Sequence, residues 1–414
     1  MKSLKKPTWL KKLLLYLAII GPGLITASSG NDAPGIATYS MAGSKYGYTF
    51  LWLLFSISFG IVAIQSMAAR IGAVTGKGTA DLIRERFGVK TTTFAMLGLL
   101  IANLGSTIAQ FAGVAAAGEL FGITRYLTVP LSALLMSYFV LGRNYKTVEK
   151  VLLVLCLSAL SYVIAVFIIK PNWAEVFQDS LQLSTSLSSN FILSVLAVIG
   201  TTITPWGIFY IQASVADKEI DVKDFYLTKF DVTFGAIWAN LVAGFIIITT
   251  AYSLFPAGIV VESAEQAALA LEPLAGSAAK ILFAIGLLGA SLLAVSVLPL
   301  STTYAFCEAF GFERGLNRSV KEAPTFYALF GVIILISVVF VMIPNLPLFQ
   351  IMWLSQSLNA ILLPAILYLL IKIANDHVVM GEYVNKKLTN ILSISLTVLI
   401  SIVTVILLVS PIFS

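Results

Sequence analysis

Long apolar stretches follow one another along almost the whole chain, separated by short polar connections. They fall near residues 13–43, 47–69, 91–118, 124–141, 149–169, 190–212, 230–254, 277–305, 324–343, 347–373 and 389–412. A bilayer-crossing helix needs about 20 predominantly apolar residues, so the pattern predicts an all-α integral membrane protein with eleven transmembrane helices. No connection is long enough for a second soluble domain, and residues 1–414 read as a single transmembrane domain.

Two of these stretches are interrupted. The first carries Ser28-Ser29-Gly30-Asn31-Asp32-Ala33-Pro34-Gly35, and the sixth carries Thr201-Thr202-Ile203-Thr204-Pro205-Trp206-Gly207. Pro and Gly are common in membrane helices, and one kink alone is often only geometric. Breaks at corresponding places in two halves point instead to an inverted-repeat transporter with its site at the midplane. A unit of five helices is odd, which forces the second unit to be inverted. The repeats are expected near 13–169 and 190–373, with 389–412 appended.

Asp32 is the most informative residue. A carboxylate at membrane depth costs roughly 2.5 to 3.5 kcal/mol even on the lenient insertion scale, so it marks a functional site by default. Its surroundings are hard, neutral oxygens: backbone carbonyls freed by the breaks and the hydroxyls of Thr201 and Thr204. Such ligation suits a hard divalent cation. An amino-acid substrate stays open as an alternative if Asp32 meets its ammonium group.

Composition agrees with the membrane reading, since 58% of residues are hydrophobic, 11% are charged and the mean hydropathy is +0.95. The formal charge of +6 is a topology signal and argues against a nucleic-acid partner. With a cytoplasmic amino terminus, all of the Lys and Arg residues except Lys45, Arg125, Lys170 and Lys280 fall on the inside. Eleven helices then place the carboxyl terminus outside. The basic start is read as leading into a retained first helix, without a small-residue cleavage site. Cys156 and Cys307 fit neither a disulfide framework nor a metal site and read as small buried hydrophobes. No Gly-rich phosphate loop followed by Lys-Ser or Lys-Thr occurs, so transport is secondary or passive, with no enzymatic chemistry, no cofactor and no evident obligate protein partner. The expected partners are the transported ion and the lipid bilayer.

Several motifs together carry a family resemblance. Gly21-Pro22-Gly23, the Asp32 break, Ala42-Gly43, the run Gln65-Ser66-Met67-Ala68-Ala69-Arg70-Ile71-Gly72-Ala73-Val74-Thr75-Gly76-Lys77 and Arg84-Glu85-Arg86-Phe87-Gly88 resemble the start of the Nramp divalent-metal transporters. The resemblance implies a LeuT-type fold of two inverted five-helix repeats with helices 1 and 6 broken. In typical members the first break reads Asp-Pro-Gly-Asn with both end residues on the metal, and spacing puts Asp32 on the Asp and Gly35 on the Asn. The sixth helix typically reads Met-Pro-His; here it reads Thr204-Pro205-Trp206. Loss of the soft thioether removes a contact that rejects abundant hard ions, so Mg²⁺ joins Mn²⁺ as an admissible substrate. The chain is most similar to the Nramp-related magnesium transporters.

The resemblance also bears on protons. The two acids of the family's third helix fall on Thr107 and Gln110, and the only histidine, His377, lies in the connection before the last helix. Neither Thr107 nor Gln110 shuttles protons, so uncoupled, potential-driven flux across the cell membrane is expected. Gln356 matches a Ser-Gln pair that approaches the ion in the family, and Asn359 lies one turn further on; an interhelical hydrogen bond is the competing reading of each. Gln65 and Asn103 read as packing groups, and Asp231, Glu119 and Glu308 as interfacial or ion-paired carboxylates. Trp206 either shapes the cavity or anchors packing. The expected metal site is therefore Asp32, Gly35, Thr201, Thr204, Gln356 and Asn359. A proton-coupled Mn²⁺ or Fe²⁺ importer, a non-transporting metal sensor and an amino-acid permease of the same fold stand as alternatives.

Overall fold

Hydrocarbon offers no hydrogen-bond partner to a bare backbone amide, so a spanning segment must satisfy its own. The chain meets this requirement with helices, and no strand occurs among the described residues. The structure, a computed structural model, describes residues 29–141, 160–182, 188–217, 225–272, 276, 279–316 and 318–413. A 3₁₀ turn at Ser29–Asn31 leads into α1 (Ala33–Tyr46), and a second at Gly47–Phe50 leads into α2 (Leu51–Thr75). Then come α3 (Thr79–Leu120), α4 (Arg125–Leu141), α5 (Leu160–Ile169), α6 (Trp173–Ser180), α7 (Ser189–Thr202) and α8 (Pro205–Asp217). The chain continues through α9 (Phe225–Leu254), α10 (Ala264–Leu269), α11 (Ala279–Phe310), α12 (Pro324–Val341), α13 (Leu348–Ala374), α14 (His377–Met380) and α15 (Lys387–Phe413).

Each of the apolar stretches is helical where it is described, apart from the two breaks and a residue or two at some ends. Residues 13–28 of the first stretch, 149–159 of the fifth and Cys156 lie outside the described residues. Among the described residues, 8 helical segments are long and apolar enough to cross a membrane, counting α1 with α2 and α7 with α8 as one segment each. The helices run beyond the apolar runs at several ends. α3 starts at Thr79 rather than near 91, because the charged segment Thr79–Phe87 is helical without being apolar. A break at Gly88 (φ 78°, ψ 173°) separates it from the rest of α3.

Helices in lipid gain little from burying one another's apolar surface, so close approach of small residues carries the packing. α3 lies along α11 and α13, α7 crosses α13, α1 packs on α9, and α8 packs on α2. At these crossings a Cβ on Gly43 would come 2.6 Å from the Ile247 carbonyl and one on Gly72 2.7 Å from the Gln212 carbonyl, and where α3 meets α1 one on Gly113 would come 2.2 Å from Ala33 Cβ. Large apolar side chains such as Phe94 (77% exposed) and Leu134 (71%) instead cover the outer face, where lipid is their solvent.

Several polar side chains find partners across helices. Asn103 donates to Thr302 Oγ1 at 2.8 Å, tying α3 to α11, which is the packing role expected of it. Glu119 accepts from Arg125 Nε at 2.8 Å, and buried Glu308 faces Arg314 Nε at 3.3 Å, so both carboxylates are ion-paired. Asp231 is buried on α9. Cys307 is buried, as expected. Near the start of α3 the chain is stitched to the end of α11 and to distant connections: Arg84 to the Ala309 carbonyl at 3.0 Å, Asp81 to Arg314 at 3.0 Å, and Arg86 to Asp376. The Val378 amide, followed by Arg86, holds the Asp376 carboxyl below the usual carboxylate range.

Candidate functional site

The two breaks have separate local causes. At the first, Asp32 is in extended conformation (φ −71°, ψ −177°) and serves as the N-cap of α1, its Oδ1 accepting from the Gly35 amide at 2.8 Å with Pro34 in the first turn. An Asp cap followed by Pro at the helix start is the arrangement expected for a helix that must begin abruptly. At the second, Pro205 forces the residues before it out of helical geometry. Ile203 (φ −118°, ψ 90°) ends α7, and α8 restarts at Pro205.

The breaks meet. Thr201 Oγ1 donates to the Gly30 carbonyl at 3.3 Å, and Tyr39 on α1 shares a hydrogen bond of 2.9 Å with Thr202. A Cβ at Gly35 would lie 2.5 Å from the Gly30 carbonyl, 3.0 Å from Thr201 Oγ1 and 3.2 Å from Asp32 Oδ1. Asp32, Gly35 and Thr201 are thus brought together, and Gly35 leaves the space in which the cluster closes. Asp32 is 2% exposed.

Gln110 is the partner that sequence reasoning did not assign. From α3 its Nε2 donates to Asp32 Oδ2, while its Oε1 accepts from the Ala33 amide at 3.3 Å. It occupies a position considered only for proton transfer, where its amide now grips the site's carboxylate. Thr107, its neighbour one turn earlier, spends its hydroxyl on the Asn103 carbonyl at 2.7 Å.

Gln356 and Asn359 form a second group on α13. Asn359 Nδ2 donates to Gln356 Oε1 at 3.1 Å and to Ser106 Oγ of α3 at 3.0 Å, and Gln356 Nε2 donates to Ser355 Oγ at 3.2 Å. This group reaches the broken sixth segment through the backbone, since a Cβ on Gly200 would lie 2.0 Å from the Gln356 carbonyl oxygen. Thr204 is buried in the break, with no side-chain hydrogen bond among the described residues. Trp206 is fully buried, and its carbonyl accepts from Ser301 Oγ at 2.7 Å.

The donor set is one carboxylate among amides, hydroxyls and carbonyls. Among the described residues no three His, Cys, Asp or Glu side chains converge, so nothing there resembles a tight resident metal cage. Oxygen ligands with a single charge suit a hard cation that keeps part of its water shell and leaves again.

Comparison with known proteins places these features in context. Residues 23–410 match the family profile described as natural resistance-associated macrophage protein-like. The divalent metal cation transporter MntH of Ralstonia nicotianae is 27% identical over 415 residues, covering 96% of this chain and 90% of that protein. MntH of Erwinia tasmaniensis is 30% identical over 288 residues, 67% of this chain and 69% of the relative. The crystal structure of the Eremococcus coleocola manganese transporter superposes with a TM-score of 0.77 at 20% identity, covering 99% of this chain and 89% of that one. Mhp1, a nucleobase-cation-symport-1 transporter, gives 0.57 at 13% identity over 94% of this chain and 90% of its own. These two structures speak to the fold alone, and the fold they share is the LeuT type.

Proposed function

The chain belongs to the natural resistance-associated macrophage protein family, and on that premise we propose that it carries Mg²⁺ as well as Mn²⁺ into the cell, driven by membrane potential without protons. The observation that carries this reading is the lone carboxylate of Asp32, clustered with Gly35 and Thr201 where the two broken segments meet. Gly35 supplies no side-chain ligand, and Thr204 supplies a hydroxyl rather than a thioether. A site with one charge and neutral oxygens does not select against a hard, strongly hydrated ion. The ion path runs past Asp32, Gly35, Thr201 and Thr204, with Gln356 and Asn359 on the facing helix.

The absence of proton coupling is supported by the groups around Asp32. Its neighbour on α3 is the amide of Gln110, and His377 is exposed in the connection between α13 and α15. A divalent ion gains about 4.6 kcal/mol per 100 mV, from two charges at roughly 2.3 each, which suffices for accumulation without a proton partner. The division into inverted repeats is supported by the exchange of packing partners, α1 on α9 and α8 on α2. The basic residues favour a cytoplasmic amino terminus and an outside carboxyl terminus.

Proteoliposomes loaded with both a magnesium indicator and a pH indicator test the proposal under an inside-negative potential. Mg²⁺ entry is expected with no acidification of the lumen. Mn²⁺ entering together with protons, and no Mg²⁺, would return the chain to the proton-coupled reading. Selectivity is tested at Thr204: Thr204→Met is expected to raise the preference for Mn²⁺ over Mg²⁺ at least about tenfold in competition uptake, because sulfur is a poor ligand for magnesium. An unchanged ratio removes Thr204 from the ion's path.

A further inference from the structure

Away from the ion site, a trough of about 1160 Å³ opens on the lipid-facing side, with α2 and α9 as walls and the start of α15 and the turn before it closing one end. Its walls are apolar, formed by Leu54, Phe59, Val62, Ile237, Leu241 and Leu392 among others. Where Ser58 and Asn240 enter the wall they pair with each other at 2.7 Å, so they add little free polarity. The α2 wall, from Arg70 back to Leu51, is about 28 Å long at 1.5 Å per residue, longer than the ~15 Å hydrocarbon depth of one leaflet.

One end of the trough is different in kind. Arg70, Lys229 and Lys386 line it, with Glu382 as the one acid of the lining. Neither lysine has an ion-pair partner among the described residues, and both are exposed. Arg70 gives one guanidinium nitrogen to Asn385, while its Nε is buried with no hydrogen-bond partner among the described residues. A buried donor on a cation, left unanswered by the described residues, calls for an acceptor from elsewhere. Tyr226 and Tyr383 flank the same end, as amphipathic rings do at the headgroup level.

We propose that this trough is a binding site for an anionic glycerophospholipid, its phosphate held by Arg70, Lys229 and Lys386 and its acyl chains laid along α2 and α9. Placing the lipid in the cytoplasmic leaflet rests on the orientation proposed above; the site itself does not depend on which ion is carried. Basic pockets between membrane helices on that side recognise anionic headgroups, and the length of the apolar wall selects a lipid over a soluble anion.

The test is native mass spectrometry of the detergent-purified full chain, titrated with dioleoyl phosphatidylglycerol and, separately, with dioleoyl phosphatidylcholine. One tightly retained phosphatidylglycerol is expected. Lys229→Gln combined with Lys386→Gln is expected to weaken it about thirtyfold, from roughly a factor of five per lysine. Ile237→Trp, at an exposed wall position about two turns beyond Lys229 on α9, is expected to expel the lipid by filling the space of its chains. Equal retention of the two lipids, or undiminished phosphatidylglycerol in either variant, would overturn the proposal. Displacement of the lipid by millimolar glycerol 3-phosphate would likewise overturn it, by showing a site for a soluble phosphate.

Discussion

Replacing Asp32 by Ala is expected to reduce Mg²⁺ and Mn²⁺ entry into proteoliposomes to the rate of protein-free vesicles. Asp32 is the carboxylate of the cluster in which the breaks meet, and a divalent ion leaving water there meets no other negative group among the described side chains bonded to that cluster. Removing one partner of a buried charge pair costs about 3–5 kcal/mol, two to four orders of magnitude in occupancy. The carboxylate has a second job as the cap of α1, and the two are separable. Asn caps a helix about as well as Asp, whereas Ala costs about 1 kcal/mol. Asp32→Asn keeps the cap to the Gly35 amide but loses the bond from Gln110, so it is expected to melt above the Ala variant while losing transport as completely. Metal entry surviving in Asp32→Asn would mean that the charge is not what holds the ion.

Gly200→Ala is expected to cut transport by more than tenfold and to lower the melting temperature. The added methyl would meet the Gln356 carbonyl oxygen at 2.0 Å and the Ala360 amide nitrogen at 2.9 Å, both backbone atoms that no rotamer change can move. Overpacking of this kind costs about 1–3 kcal/mol, and relief requires α7 to back away from α13. Thr201 is the next residue and Gln356 the one struck, so both halves of the candidate site move apart. Gly331→Ala on α12 is the control, since nothing lies within 4 Å of its added Cβ. Equal transport by the two variants would show that the α7–α13 contact is not part of the working site.

The parts of this architecture that were legible in the chain are those that the bilayer writes into composition. Apolar length is dictated by membrane thickness, so the spans stand out, and a charge at depth is expensive enough that Asp32 could not be mistaken for filler. Helix ends outside the hydrocarbon carry no such signal, which is why the charged opening of α3 and the short helices α6 and α10 went unforeseen. The neutral part of the site was hidden for a related reason. An amide at depth reads the same whether it glues helices or grips a carboxylate, and Gln110 meets Asp32 across 78 residues of sequence that fix no register between α1 and α3. The same holds for Asn359, whose bond to Ser106 spans 253 residues. Thr202 and Tyr39 lie within the two segments that drew attention, but only folding pairs them.

The break at Gly88 divides α3 into two levers on a single pivot. Its backbone lies in a region that only glycine occupies at ease. The outer lever, Thr79–Phe87, is fastened through Arg84 to the last turn of α11 and through Asp81 and Arg86 to the connections that follow α11 and α13. The inner lever carries Asn103, Ser106 and Gln110 into the heart of the molecule. The surface girdle and the shaft that carries Gln110 to Asp32 are therefore joined through one residue of non-helical backbone rather than by continuous α-helix. No atom lies within 4 Å of the Cβ that another residue would place there, so a substitution at this joint acts through the strain of its positive φ and not through packing.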